Sequence, residues 1–263
     1  LEQDRTCHRF VVRLMPTPGP TPVNEARLLA GTTLILGHNP VADALQRRIQ
    51  SLGGDCHLVE PSSHVDGVVS QIERLWQAGP IRQLLVTTPH DNNACQTDDA
   101  TAWQERRQQG VLNTFLACQR WFQLVVENNL VHQATLAGVV ALGGDFGLSG
   151  QVDSHESGFV TGFIKNMFVE VSLQDPDGFR TCVVDSPHHR GDLAAAETIA
   201  DRLLREFTAD APDIEVGYVN GTRHLTRPIF QPLHGETAET DRPTGAWVVT
   251  GGARGITAEA ARE

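Results

Sequence analysis

The sequence predicts an α/β fold built on a doubly wound parallel sheet, and two observations carry that prediction. Short apolar runs rich in β-branched residues alternate with stretches of helical period between residues 32 and 219. A helix connecting parallel strands must cover one face of their sheet, so this alternation builds a layered domain. The pattern then opens afresh near the end of the sequence. There Ala246–Val249 reads as a short buried strand, followed at once by a glycine-rich turn and helix-favouring alanines and glutamates.

Taken in order, residues 9–15 (RFVVRLM) read as an isolated strand, and the PTPGPTP after them as a proline-rich linker unfit for a helix or inner strand. Thr32–Leu36 is a predicted strand, Val41–Leu52 a helix and Cys56–Val59 a second strand. Val68, Ile72, Leu75 and Trp76 recur at helical spacing and predict a helix over Val65–Ala78, before a third strand at Ile81–Thr87. A long helix is expected over Trp103–Asn128, with Leu112, Phe115, Leu116, Gln119, Phe122 and Val126 along one side. Leu136–Leu142 is the fourth strand, Gly158–Val171 a helix and Thr181–Val184 the fifth strand. Asp192 then caps a helix whose Leu193, Ala196, Ala200, Leu203 and Phe207 form an apolar stripe. Ile214–Val219 is the sixth strand, Asn220-Gly221 a two-residue hairpin turn and Arg223–Phe230 its return arm.

Composition narrows the function classes. With 263 residues, 40% hydrophobic and 20% charged, the chain has the makeup of a water-soluble globular protein. A net charge of −11 argues against nucleic acid as a partner, because that binding rests on neutralising phosphates. No apolar run approaches the length that spans a bilayer, so no membrane partner is expected. Cys7, Cys56, Cys95, Cys118 and Cys182 are odd in number and widely spaced, which fits a reducing cytoplasm better than a disulfide framework. The chain starts Leu1-Glu2 and stops early in its last helix, so it reads as excised from a longer polypeptide at both ends.

The turn after the last strand carries the chemistry. Thr250, Gly251, Gly252, Arg254, Gly255 and Ile256 are placed to bring backbone N–H groups against a pyrophosphate, with a helix N-terminus adding its partial positive charge. The glycine spacing resembles the TGxxxGxG turn of short-chain dehydrogenases, with Thr257 where that pattern has a third glycine. Arg254 lies where a basic side chain meets a 2′-phosphate, which favours NADPH over NADH.

The first unit offers no equivalent. Its first strand ends Gly37-His38-Asn39-Pro40, where side chains and a proline lacking an N–H make a poor phosphate cradle. Reductases of this kind draw a proton from a tyrosine whose pKa is lowered by a lysine four residues on. Tyr218 is the only tyrosine and is followed four residues later by Thr222, while Lys165, the only lysine, is preceded at that spacing by Thr161.

A silent unit, a polar linker and then a TGG-type turn together resemble the ketoreductase domains of type I polyketide and fatty acid synthases. FVVRLMPTP resembles the opening strand of that family, GFVTGFIKNMFVE its glycine-led helix and EVGYVNGTRHLTRPIF its closing hairpin. TGGARGIT is most similar to polyunsaturated fatty acid synthases. The resemblance implies a truncated, non-catalytic Rossmann-like unit over residues 1–234, a linker over 235–243, and the start of a catalytic NADPH-binding unit over 244–263. It further implies a β-ketoacyl thioester on an acyl carrier protein as substrate, other synthase domains as partners, and a catalytic Tyr and Lys supplied by sequence other than this. The alternative is a non-catalytic scaffold or docking module whose nucleotide turn is vestigial.

Other signals read more plainly. Gly144-Asp145-Phe146-Gly147 is a turn after the fourth strand, and Arg190-Gly191-Asp192 a turn leading into a helix cap. His90-Asp91 and His188-His189 each lack a second pair at ligand spacing and are expected to be solvated loop residues.

Overall fold

Short apolar runs make good strands of a helix-covered parallel sheet, and six strands run parallel here: β2 (Thr32–Leu36), β3 (Cys56–Val59), β4 (Ile81–Val86), β5 (Thr135–Val140), β6 (Arg180–Asp185) and β7 (Glu215–Val219). A computed structural model describes residues 9–20, 25–60, 65–94, 99–172, 178–210 and 213–232. Cys7, Cys95, the linker over 235–243 and the whole of 244–263 lie outside the described residues. With β1 (Phe10–Pro16) and β8 (Thr222–Phe230) the sheet has eight strands in the order β1-β8-β7-β6-β5-β4-β2-β3. RFVVRLM is therefore a sheet-edge strand rather than an isolated one. β8 returns antiparallel on β7 through the Asn220-Gly221 hairpin.

Alternation along the strands decides which helix covers which face. Ile35 and Val139 point into a core with α2 (Pro40–Ser51) and α7 (Leu193–Thr208). Leu34, Leu36 and Val140 point into a second core with α3 (Val65–Ala78), α5 (Asn113–Glu127) and α6 (Glu156–Met167). Each fully buried Leu, Ile or Val contributes about 1.5–3 kcal/mol, and both cores hold many of them. Trp121 is fully buried in the second core, and its indole N–H donates to the Ile81 carbonyl at 2.9 Å.

Two predicted faces shift. Leu193 is 67% exposed, because the Asp192 cap puts it in the first turn; the stripe that packs begins at Ala196 and takes in Ile199, Ala200, Leu203 and Phe207. The expected long helix is continuous but mixed, running from α4 (Ala100–Arg106) through a π-helical segment at Arg107–Leu112 into α5. Its buried side is Ala117, Cys118, Trp121, Leu124 and Val125, whereas Phe115, Gln119 and Val126 are exposed. Small residues beside one tryptophan let the helix approach the sheet more closely than a row of phenylalanines would.

The chain divides into two compact units, Val12–Pro228, and Leu1–Val11 with Ile229–Glu263. Within the described part of the second, Phe10 and Phe230 meet edge to face at 5.9 Å and Gln231 N donates to Arg9 O at 2.9 Å. Among the described residues no helix is long and apolar enough to cross a membrane.

Candidate functional site

Doubly wound sheets bind their ligands outside the carboxyl ends of the strands, where the strand order reverses. Here the reversal falls between β2 and β4, since α2 leads outward to β3 and α3 leads back to β4 on the other side of β2. The crevice at that point is filled by the protein itself. Gly37 has a positive φ of 145°, and a Cβ there would lie 2.2 Å from Thr87 Oγ1, so the two turns already touch. Asn39 Oδ1 accepts from Val41 N and Ala42 N, occupying the helix N-terminus that an anion would use, and Pro40 removes another donor. Asn39 Nδ2 donates to the Thr87 carbonyl at 3.0 Å and to Asp91 Oδ1 at 2.7 Å, and His38 N also donates to Asp91 Oδ1. A pyrophosphate does not fit these residues.

Behind this closure lies a buried ion pair. Arg106 ends α4; its Nε donates to Glu156 Oε2 at 2.6 Å, and its amino groups reach Asn93 Oδ1, the Thr88 carbonyl and Asp91 Oδ2. Burial pushes the Glu156 carboxyl upward, and the Arg106 guanidinium pulls it back down. Gly110 of the π-helical segment makes room for this, since a Cβ on it would fall 2.0 Å from Glu156 Oε2. Beside the pair opens a cavity of about 230 Å³ lined by His38, Glu60, Asp91, Asn93, Arg106 and Gln109. Its two carboxylates and an arginine already bonded to carboxylates make it a poor seat for phosphate.

Neither residue of a Tyr–Lys proton donor is set up here. Tyr218 is buried on β7, and its hydroxyl donates to Glu206 Oε1 at 2.7 Å. Burial, and then Glu206, pushes its pKa up, the opposite of what a proton donor needs. Arg223 also donates to Glu206, from Nε at 2.7 Å, and the Arg202 guanidinium lies 4.4 Å from the tyrosine ring centre. Lys165 lies on α6 and pairs with Glu215 at 2.9 Å.

The histidine expectation is corrected. His90, His188 and His189 are buried, not solvated, and they form one cluster. The loops after β4 and β6 supply them, and those strands flank β5, so the loops converge over its end. Neighbouring ring centres lie 4.5–6.0 Å apart. His90 is driven down to about 3, by burial first and then by His188 and His189. His188 is also lowered, by burial and then His189, against the opposing Asp91 carbonyl and Asp153. Spacing within each short motif missed this cluster; the signal that finds it is strand order. Nearby, Asp185 at the end of β6 accepts from Leu142 N and Phe146 N, both at 2.7 Å, and burial raises it to about 6. The turn expected at Gly144–Gly147 packs through those bonds, and Arg190-Gly191 turns into the Asp192 cap as expected.

Thr250, Gly251, Gly252, Arg254, Gly255 and Ile256 lie outside the described residues. No protein-family model matches the sequence, and no curated protein matches it. Solved structures do resemble the fold. An NADH-dependent reductase, A1-R', complexed with NAD superposes with a TM-score of 0.57 at 10% identity, over 75% of this chain and 98% of its own. A protein from Burkholderia xenovorans assigned to the short-chain dehydrogenases/reductases gives 0.52 at 13% identity, over 74% and 97%. A metagenomic short-chain oxidoreductase in complex with NADP gives 0.51 at 16%, over 72% and 96%. These likenesses establish the architecture of the chain as a Rossmann-like α/β fold with a mostly parallel, doubly wound sheet.

Proposed function

We propose that this chain is the structural part of an NADPH-dependent β-ketoacyl reductase within a multidomain polyketide or polyunsaturated fatty acid synthase. The reaction class is reduction of a β-ketoacyl group on an acyl carrier protein to the β-hydroxyacyl form. The observation that carries the reading is the closed crevice: Asn39, Thr87 and Asp91 fill the place where a sheet of this kind would take a nucleotide. Tyr218 supports it, because the only tyrosine of the sequence is buried and bonded to a carboxylate. In this reading the coenzyme sits on the Thr250–Ile256 turn, with Arg254 at the 2′-phosphate of NADPH. The tyrosine–lysine pair belongs to sequence other than this.

The test is an NADPH titration of the longer polypeptide that carries this chain, with turnover of a β-keto thioester as the second readout. The expected result is saturable binding that falls at least tenfold in Gly251→Val and in Arg254→Glu and is unchanged in Glu60→Gln beside the closed crevice. Absence of binding and turnover together would leave the chain as a scaffold with a vestigial turn.

A further inference from the structure

The three clustered histidines carry an inference independent of the reductase reading. We propose that His90, His188 and His189 form a binding site for one divalent transition-metal ion of the zinc class. One ring nitrogen from each of the three lies within 4.8 Å of the other two. The three residues are 0%, 7% and 2% exposed. Two of the six nitrogens, His90 Nδ1 and His188 Nε2, are buried with no partner in hydrogen-bond geometry, and the Asp91 carbonyl lies close to the His188 ring. Native proteins seldom leave buried polar atoms unmet, and a bound ion is one of the standard reasons when they do.

The bonds already present orient His90, whereas His188 and His189 must each give up one to bind. His90 Nε2 faces the Val140 carbonyl at 3.2 Å and so carries that ring's proton, leaving a lone pair on Nδ1. A ring N–H fixed by a backbone carbonyl is the usual outer support of a metal-binding histidine. His189 Nε2 is held the same way by the His90 carbonyl at 2.9 Å, and its Nδ1 accepts from Gly191 N. His188 Nδ1 accepts from Arg190 N at 2.9 Å, which puts its proton on Nε2. Binding through His188 Nε2 moves that proton to Nδ1 within the ring, so none is released, and the Arg190 N–H must give up its bond to Nδ1. His189 joins as third ligand through Nδ1, giving up the Gly191 N–H. Zinc–imidazole bonds of about 2.0–2.1 Å in tetrahedral array require nitrogens roughly 3.4 Å apart, and the rings now stack at 15–25° to one another, so they must turn as well as close to aim their lone pairs at one ion.

The donor set selects the metal. Neutral imidazoles suit Zn²⁺, Cu²⁺, Ni²⁺ and Co²⁺ and bind Mg²⁺ and Ca²⁺ poorly. A neighbouring carboxylate, Asp153, accepts from His188 N at 3.1 Å and from Arg190 at 2.6 Å, so it supplies negative charge beside the site while its oxygens are engaged. Three imidazoles leave a fourth position open for water or an anion.

The experiment titrates chelator-treated chain 1–263 with Zn²⁺ by calorimetry and with Co²⁺ by visible absorption. The expected result is one equivalent bound, with the absorption bands of a four-coordinate cobalt site. Affinity should fall at least tenfold in His188→Gln and be abolished in the His188→Gln/His189→Gln double variant. X-ray absorption of the zinc-loaded wild type, which needs no variant to fold, should count three imidazole nitrogens near 2.0 Å. No saturable uptake, uptake that survives the double variant, or fewer than three imidazoles at the metal would each overturn the proposal.

Discussion

Asn39 Nδ2 lies 2.7 Å from Asp91 Oδ1, so the residue that caps the first crossover helix also ties the turn after β2 to the turn after β4. Removing it in Asn39→Ala takes away the helix cap, for which about 0.5–2 kcal/mol is usual, and leaves Asp91 short of a donor. Chemical denaturation should show a loss of about 2–3 kcal/mol, the cap plus one bond to a charged group. NADPH added to the wild-type chain should leave hydrogen exchange at Gly37–Ala42 unchanged. Protection of those amides by NADPH would mean that the crevice opens.

Tyr218→Phe tests the opposite assignment for the only tyrosine. The hydroxyl bonds a buried carboxylate, so its loss should cost about 1.5–3 kcal/mol of stability. In the longer polypeptide, reductase turnover at a temperature where both proteins are folded should stay within about twofold, where loss of a general acid would cost about a hundredfold or more.

Asp185 predicts a pH dependence. Its folded pKa is raised to about 6, above the ordinary value near 3.9. Between those values the folded state binds more protons than the unfolded one, so its contribution makes stability fall as pH rises, by up to about 1.4 kcal/mol per unit. Above pH 6 or so the cost of the buried charge is complete. Stability measured against Asp185→Asn should therefore decline from about pH 4.5 to about pH 6.5 and then level off; a difference that grows with pH would reverse the assignment.

Gly110 and Glu156 should couple. Gly110→Ala pushes a methyl group onto the Glu156 carboxylate and strains the Arg106 pair, for which overpacking costs of about 1–3 kcal/mol are typical. Glu156→Ala leaves Arg106 buried against fewer carboxylates and should cost about 3–5 kcal/mol. In the double variant the methyl group meets the space the carboxylate left, so the two losses should fall short of additive by more than about 0.5 kcal/mol. Strict additivity in thermal or urea melts would show that the two sites do not touch.

How much of this was legible in the sequence depends on range. Each strand–helix alternation from Thr32 to Val219 came from local periodicity, and the observed strand bounds agree within a residue or two. Asp192 as a cap and Asn220-Gly221 as a hairpin turn were readable because their chemistry is complete within a few residues. The poverty of the Gly37–Pro40 turn was visible, but not its filling by Thr87 and Asp91, which are about fifty residues away in sequence. The histidine cluster was invisible for the same reason, since His90 and His189 meet across ninety-nine positions. The inward face of α5 was misread because burial there follows the closeness that Ala117 and Cys118 permit, not side-chain size.

A crevice closed by its own side chains also changes how the unit answers its surroundings. A ligand that binds only the folded state adds RT ln(1 + [L]/Kd) to stability, so a coenzyme domain stiffens and loosens as its coenzyme pool rises and falls. Asn39, Thr87 and Asp91 are present at fixed occupancy whatever that pool does. The melting temperature of this unit should thus be indifferent to NADPH across the whole cellular range, a constant platform beside any neighbour whose order is set by metabolism.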